Sequence, residues 1–374
     1  MADPKPAAGL VAELAEFGTK AAQAAALIAE LRDADVDVAT IPREEVHRIG
    51  GRTLYRIAPS GPRRVSTPVL VTYAMVGRWT ILDLQEDRSF LRNLSEAGCE
   101  LYVIDWGHPT PADQFDDFGD LVDLYLDGFV DVICDRHGVE AVNLLGICQG
   151  GVLSLLYAAL HPSRVRNLVT CVTPVDFHAD REAERLDHGF MNVWTRNLDP
   201  ADIDLLVDTL GNLPGEVGGA MFSLMTPFRS LAKYNLTLME VGQDRAKLMN
   251  SLRMEKWLAD RPAHTGEAAR QWLKDLYQHN KLAKGELEVG SRLVDLKAVT
   301  MPVLNIYTES DHIIPAPSSK ALAGKIGTND YTEAVISGGH IGVLVSRQQK
   351  PLRERIVGWL EKRDVRVAAG EAQA

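Results

Sequence analysis

Short runs of apolar β-forming residues alternate with helical stretches from Pro68 onward, and this rhythm restricts the chain to a mostly parallel sheet covered by helices on both faces. Strands are predicted at 68–73 (PVLVTY), 100–105 (ELYVID), 141–145 (AVNLL) and 167–173 (NLVTCVT). Helices are predicted at 120–137 and 150–161. Between Phe177 and Val299 the strand rhythm stops and the sequence turns helical and polar, with turn signals at Leu213-Pro214-Gly215 and Arg261-Pro262. It resumes with strands at 302–308 and 331–336, a helix around 318–326 and a closing helix near 350–363. The reading is therefore a sheet core made of 37–177 and 300–364, interrupted by a cap at 178–299.

The ends differ in character. Residues 1–36 are rich in alanine and carry Leu10, Leu14, Phe17, Ala21, Ala24, Ile28 and Leu31 at alternating steps of four and three, a heptad seam. That helix packs either on its own domain or on a partner protein. The tail 365–374 is expected to be disordered. A formal net charge of −11 argues against nonspecific binding of nucleic acid. The first residues lack a signal pattern, no window is apolar for long enough to span a bilayer, and a cytoplasmic location is expected. The four cysteines show neither metal-ligand nor disulfide spacing, so no metal site is expected. Cys99, Cys134 and Cys171 read as small buried apolar residues.

Cys148 is different. It sits in Gly146-Ile147-Cys148-Gln149-Gly150, between a predicted strand and a predicted helix. A nucleophile held on such a sharp turn needs glycines around it. The helix N-terminus stabilises a thiolate there. The Gln149 amide is placed to donate to an oxyanion. A second donor is expected from the loop after the first strand, from the amide of Ala74 or Met75. Asp311 and His340 follow the strands at 302–308 and 331–336, giving the order nucleophile, acid, base. His340 would take the thiol proton and Asp311 would orient the imidazole. His312, next to Asp311, competes for the role of base. This organisation is similar to the α/β-hydrolase fold.

A cysteine suits one kind of chemistry. Attack on a coenzyme A thioester yields another thioester, so the acyl enzyme forms at little cost and the bond stays activated. Transfer to an alcohol then runs downhill to an oxoester. A cap excludes competing water.

Beyond the elbow, the chain resembles the catalytic subunit of class III polyhydroxyalkanoate synthases over roughly 45–362. The matching runs include Val71-Thr72-Tyr73-Ala74, Ile104-Asp105-Trp106-Gly107, Asn143 to Gly151, Thr173-Pro174-Val175-Asp176-Phe177, Leu252 to Trp257, Lys284 to Leu287, Asp311-His312 and Gly338 to Gly342. The resemblance implies a Cys148–Asp311–His340 triad and a short-chain (R)-3-hydroxyacyl-CoA substrate, typically 3-hydroxybutyryl-CoA. It implies that coenzyme A is a released product and no cofactor is needed. It also implies a non-catalytic second subunit, a homodimer, and residence on cytoplasmic polyester granules. The motifs are also similar to class IV synthases. One run departs: where the family usually carries Asn-Arg-Pro, this chain has Gly77-Arg78-Trp79. The rival reading is a cysteine-type thioesterase releasing free hydroxy acid.

Overall fold

The computed structural model describes residues 5–32, 35–179, 190–225, 244–346 and 349–364. Eight strands form one sheet in the order β1-β2-β4-β3-β5-β6-β9-β10. They are β1 (Glu44–Ile49), β2 (Arg52–Ile57), β3 (Val69–Thr72), β4 (Leu101–Asp105), β5 (Val142–Ile147), β6 (Val165–Cys171), β9 (Val303–Thr308) and β10 (Tyr331–Ile336). The strands β7 (Glu288–Val289) and β8 (Arg292–Leu293) make a separate hairpin. From β4 to β10 every pairing is parallel, whereas β1 and β2 join antiparallel at one edge. The sequence reading missed that pair.

Side chains alternate between two apolar layers, as strand geometry requires. Leu70, Tyr102 and Leu144 face one cluster, and their neighbours Val71, Val103 and Leu145 face the other. The first layer is completed by helix α3 (Asp127–His137) and by helix α4 (Gln149–Leu160), which is buried along most of its length. A π-helical stretch, Asp120–Leu126, runs directly into α3. The second layer takes α2 (Phe90–Glu96) and the closing helix Gln349–Arg363, whose Leu352, Ile356 and Leu360 recur at four-residue steps. The helix expected around 318–326 is shorter, Ala316–Lys320.

Within 178–299, described helices include α5 (Phe190–Arg196), α6 (Pro200–Leu210), α7 (Gly215–Met225) and Arg245–Ala259. Trp272, Leu276 and Leu282 from the end of this segment join the first apolar layer. No described side chain of the N-terminal helix α1 (Lys5–Ala29) contributes to either layer, and its Phe17 is 50% exposed. The expected tail, 365–374, lies outside the described residues.

Candidate active site

Every loop the sequence singled out leaves the carboxyl end of a parallel strand: 73–77 after β3, Cys148 after β5, Asp311 after β9 and His340 after β10. Open α/β sheets leave their crevices there. Cys148 adopts φ 55 and ψ −123, a strained backbone for a side chain with a Cβ. Its amide donates to the Cys171 carbonyl at 2.9 Å, and its own carbonyl accepts from Gly151 at the same distance. The flanking glycines are required by contact. A Cβ on Gly150 would lie 2.0 Å from the Thr72 carbonyl oxygen, and one on Gly146 would lie 2.5 Å from the Gly151 Cα. Strand β3, strand β5 and α4 therefore meet too closely at the elbow for any side chain.

Asp311 is 1% exposed, and its Oδ1 accepts from the Ile313 and Ile314 amides at 2.9 and 2.8 Å. Its Oδ2 lies 2.8 Å from Nδ1 of the buried His340. With Nδ1 engaged, Nε2 is the ring nitrogen left to interact with Cys148, which lines the same cavity as His340. Burial by itself pulls the imidazole pKa down. The charges of Asp311 and Cys148 and the hydrogen bonds to both outweigh it, and the pKa stands well above 6.5. His312 lines the same cavity, but the Asp311 carboxylate turns to His340.

The oxyanion candidates ring the same turn. The Gln149 amide opens α4, where first-turn N–H groups lack helical acceptors. Ala74 lines the cavity at Cys148. The Met75 amide instead donates to Gln149 Oε1 at 3.1 Å, joined there by the Val76 amide at 3.2 Å. The Gln149 side chain thus ties the β3 loop to the elbow, a role not legible from the elbow motif. Of the two loop amides considered, Met75 already has an acceptor within the protein.

Two cavities reach the thiol. One, of about 210 Å³, is lined by Tyr73, Ala74, Trp257, Arg261, His312 and His340. The other, of about 100 Å³, is lined by Gln149, Met221, His264, Trp272 and Tyr277. Cys148 belongs to both. Burial, with the charge of Cys148 added, raises the Tyr73 and Tyr277 hydroxyls far above the ordinary tyrosine range, so both stay protonated. Burial also pushes the Cys171 thiol up to about 12, which keeps it inert beside the nucleophile position. From the divergent Gly77-Arg78-Trp79 run, Gly77 lines the first cavity. Trp257 Nε1 donates to the Arg78 carbonyl at 2.8 Å, and Arg78 pairs with Asp105 at 2.9 Å. A Cβ on Gly77 would come within 2.9 Å of the Trp257 ring. Among the described residues no cluster of His, Cys, Asp and Glu could hold a metal ion, and no helix is long and apolar enough to cross a membrane.

A thiol on a strand-to-helix elbow, faced by an imidazole that a carboxylate holds, defines an enzyme built on the α/β-hydrolase fold. Residues 67–346 match the family model described as alpha/beta hydrolase fold. The chain is 43% identical to the poly(3-hydroxyalkanoate) polymerase subunit PhaC of Allochromatium vinosum, over 88% of this chain and 90% of that one. Against the subunits of the same name from Thiocystis violacea and Synechocystis sp., identity is 41% and 42%. Coverage of this chain is 95% and 89%, and of those chains 97% and 88%. The chain belongs to the poly(3-hydroxyalkanoate) polymerases, an acyltransferase branch of the α/β-hydrolase superfamily.

Proposed function

We propose that this polymerase joins short-chain (R)-3-hydroxyacyl units from their coenzyme A thioesters, 3-hydroxybutyryl-CoA above all, through an acyl-Cys148 intermediate. The observation that carries the reading is the buried Asp311–His340 pair beside Cys148, a thiol that lines two cavities. His340 Nε2 takes the thiol proton, and the thiolate attacks the thioester carbonyl. The oxyanion accepts hydrogen bonds from the Gln149 and Ala74 amides. The tetrahedral adduct collapses, the coenzyme A sulfur leaves with the proton from His340, and a hydroxyacyl thioester remains on Cys148. The hydroxyl of a second unit then gives its proton to His340 and attacks the acyl carbon. An ester forms, and the Cys148 sulfur leaves as the thiolate. Asp311 stabilises the imidazolium in both halves and does not itself take the proton.

The segment 178–299 acts as the cap that keeps water from the acyl enzyme. The enzyme is of the class III type, a homodimer working with a non-catalytic second subunit at the surface of cytoplasmic polyester granules. One experiment tests the reaction. Purified protein, with and without the second subunit, is given 3-hydroxybutyryl-CoA, and coenzyme A release is followed together with insoluble polymer. Both are expected from the natural chain and neither from Cys148→Ala. Release of coenzyme A with free 3-hydroxybutyrate and no polymer would establish a thioesterase instead.

A further inference from the structure

His264 takes no part in the chemistry above, yet it lines the second cavity beside Cys148. Its backbone is fixed by two 2.8 Å hydrogen bonds with Leu213, an isolated bridge that joins the segment after Arg245–Ala259 to the turn before α7. The side chain is buried, 7% exposed. Nδ1 lies 3.3 Å from the Thr265 carbonyl oxygen. A carbonyl can only accept, so Nδ1 carries the hydrogen and Nε2 presents a lone pair. Nε2 has no partner among the described residues. Burial lowers the imidazole pKa to about 4, so the ring is neutral at physiological pH. A buried acceptor without a donor costs about 1–3 kcal/mol, and such a group calls for an explanation.

The chemistry of an acyl unit supplies one. Thioester and ester oxygens only accept hydrogen bonds, and a hydrocarbon chain offers none. The hydroxyl is the single donor a hydroxyacyl group carries. Of the groups on the unit, only that hydroxyl can satisfy the Nε2 lone pair of a residue in the wall of this cavity, a wall that also carries the Trp272 Nε1 donor, unpaired among the described residues. We propose that His264 Nε2 accepts a hydrogen bond from the hydroxyl of the acyl unit on Cys148, which makes His264 the residue that selects hydroxyacyl over unsubstituted acyl thioesters. The inference rests on the acyl-Cys148 reading and adds to it the group that reads the substrate. An unsubstituted chain leaves Nε2 buried and unpaired, and sites built around a substrate hydroxyl discriminate strongly on that account.

The test uses the full-length protein in single-turnover acylation. Coenzyme A release and the mass added at Cys148 are measured with 3-hydroxybutyryl-CoA and with butyryl-CoA. The natural chain should prefer the hydroxyacyl thioester by more than about tenfold. His264→Leu should slow the hydroxyacyl reaction by about tenfold or more and leave the butyryl reaction within about twofold, which also shows that the variant is folded. His264→Gln, whose amide oxygen restores an acceptor, should recover much of the preference. An unchanged ratio in His264→Leu overturns the proposal, as does an equal loss for both thioesters in both variants. No label at Cys148 of the natural chain from either thioester sinks the acyl-cysteine reading and the His264 role with it. Labelling with an unchanged ratio sinks the His264 role alone.

Discussion

His340 is the residue whose environment has the most measurable consequence. Its folded pKa lies well above 6.5 because the Asp311 and Cys148 charges overcome the burial that opposes them. Below about pH 6.5 the imidazole is protonated whether the chain is folded or not, so the stabilisation from these contacts is present in full. As pH rises through the raised folded value, the proton is lost from the native state and that stabilisation goes with it. The thermal midpoint of the natural chain should therefore exceed that of His340→Gln by most near pH 6, and the gap should narrow steadily toward pH 9. Parallel profiles for the two proteins would mean that the imidazole carries no such shift. The residues on which this depends were legible because each follows a short apolar strand and the glycines around Cys148 are local. The lone pair of His264 was not legible, because its significance comes from a carbonyl and a cavity wall that only the fold assembles.

At the level of elements, the elbow works only if the loop after β3 stays where it is. Gln149 provides the tie, through one side-chain oxygen that accepts from two loop amides. Replacing it with leucine keeps the backbone amide that opens α4 and removes the acceptor. Met75 is buried, so its amide loses a partner where water is scarce, at a cost of about 1–3 kcal/mol. A displaced loop also moves the Ala74 amide off the oxyanion position. Gln149→Leu is expected to lower kcat by roughly tenfold or more with little change in KM, together with a small fall in thermal midpoint. Unchanged kcat would separate the loop from catalysis. That tie spans 74 positions in sequence, so no local pattern announces it. The same limit hid β1 and β2. Glu44-Glu45-Val46-His47-Arg48-Ile49 is an edge strand with only its third and sixth residues even partly covered, and β2 buries Arg52 and Thr53, so neither shows the apolar signature that revealed β3, β5 and β9. Arg52 is accommodated there by Asp113 and Asp116 and by the Tyr125 ring, partners that lie some sixty residues or more ahead.

Across the whole molecule, stability and association are carried by different parts of the chain. The two apolar layers on either face of the sheet account for the buried core, and no described side chain of α1 belongs to either. Val11 and Phe17 on α1 are exposed, 66% and 50%, although they are large and apolar. Isolated helices gain most of their stability from a packed face, and this one leaves large apolar side chains exposed within its own chain. Phe17 belongs to the heptad seam and is exposed, which favours contact with another protein over packing on its own domain, and the second subunit is the partner we propose. Among the described residues the chain first becomes buried at Val36, Ala39 and Ile41, while Arg253 reaches back to the Asp37 carbonyl at 2.9 Å. A truncation should accordingly stop before that point. Removing residues 1–32 is expected to leave the thermal midpoint within about two degrees of the full chain, since little apolar area leaves the core. The same truncation should weaken co-purification with the second subunit by roughly tenfold or more, as loss of an apolar helix face does in other assemblies. A large drop in midpoint would show that α1 braces its own domain, and undiminished co-purification would place the docking surface elsewhere.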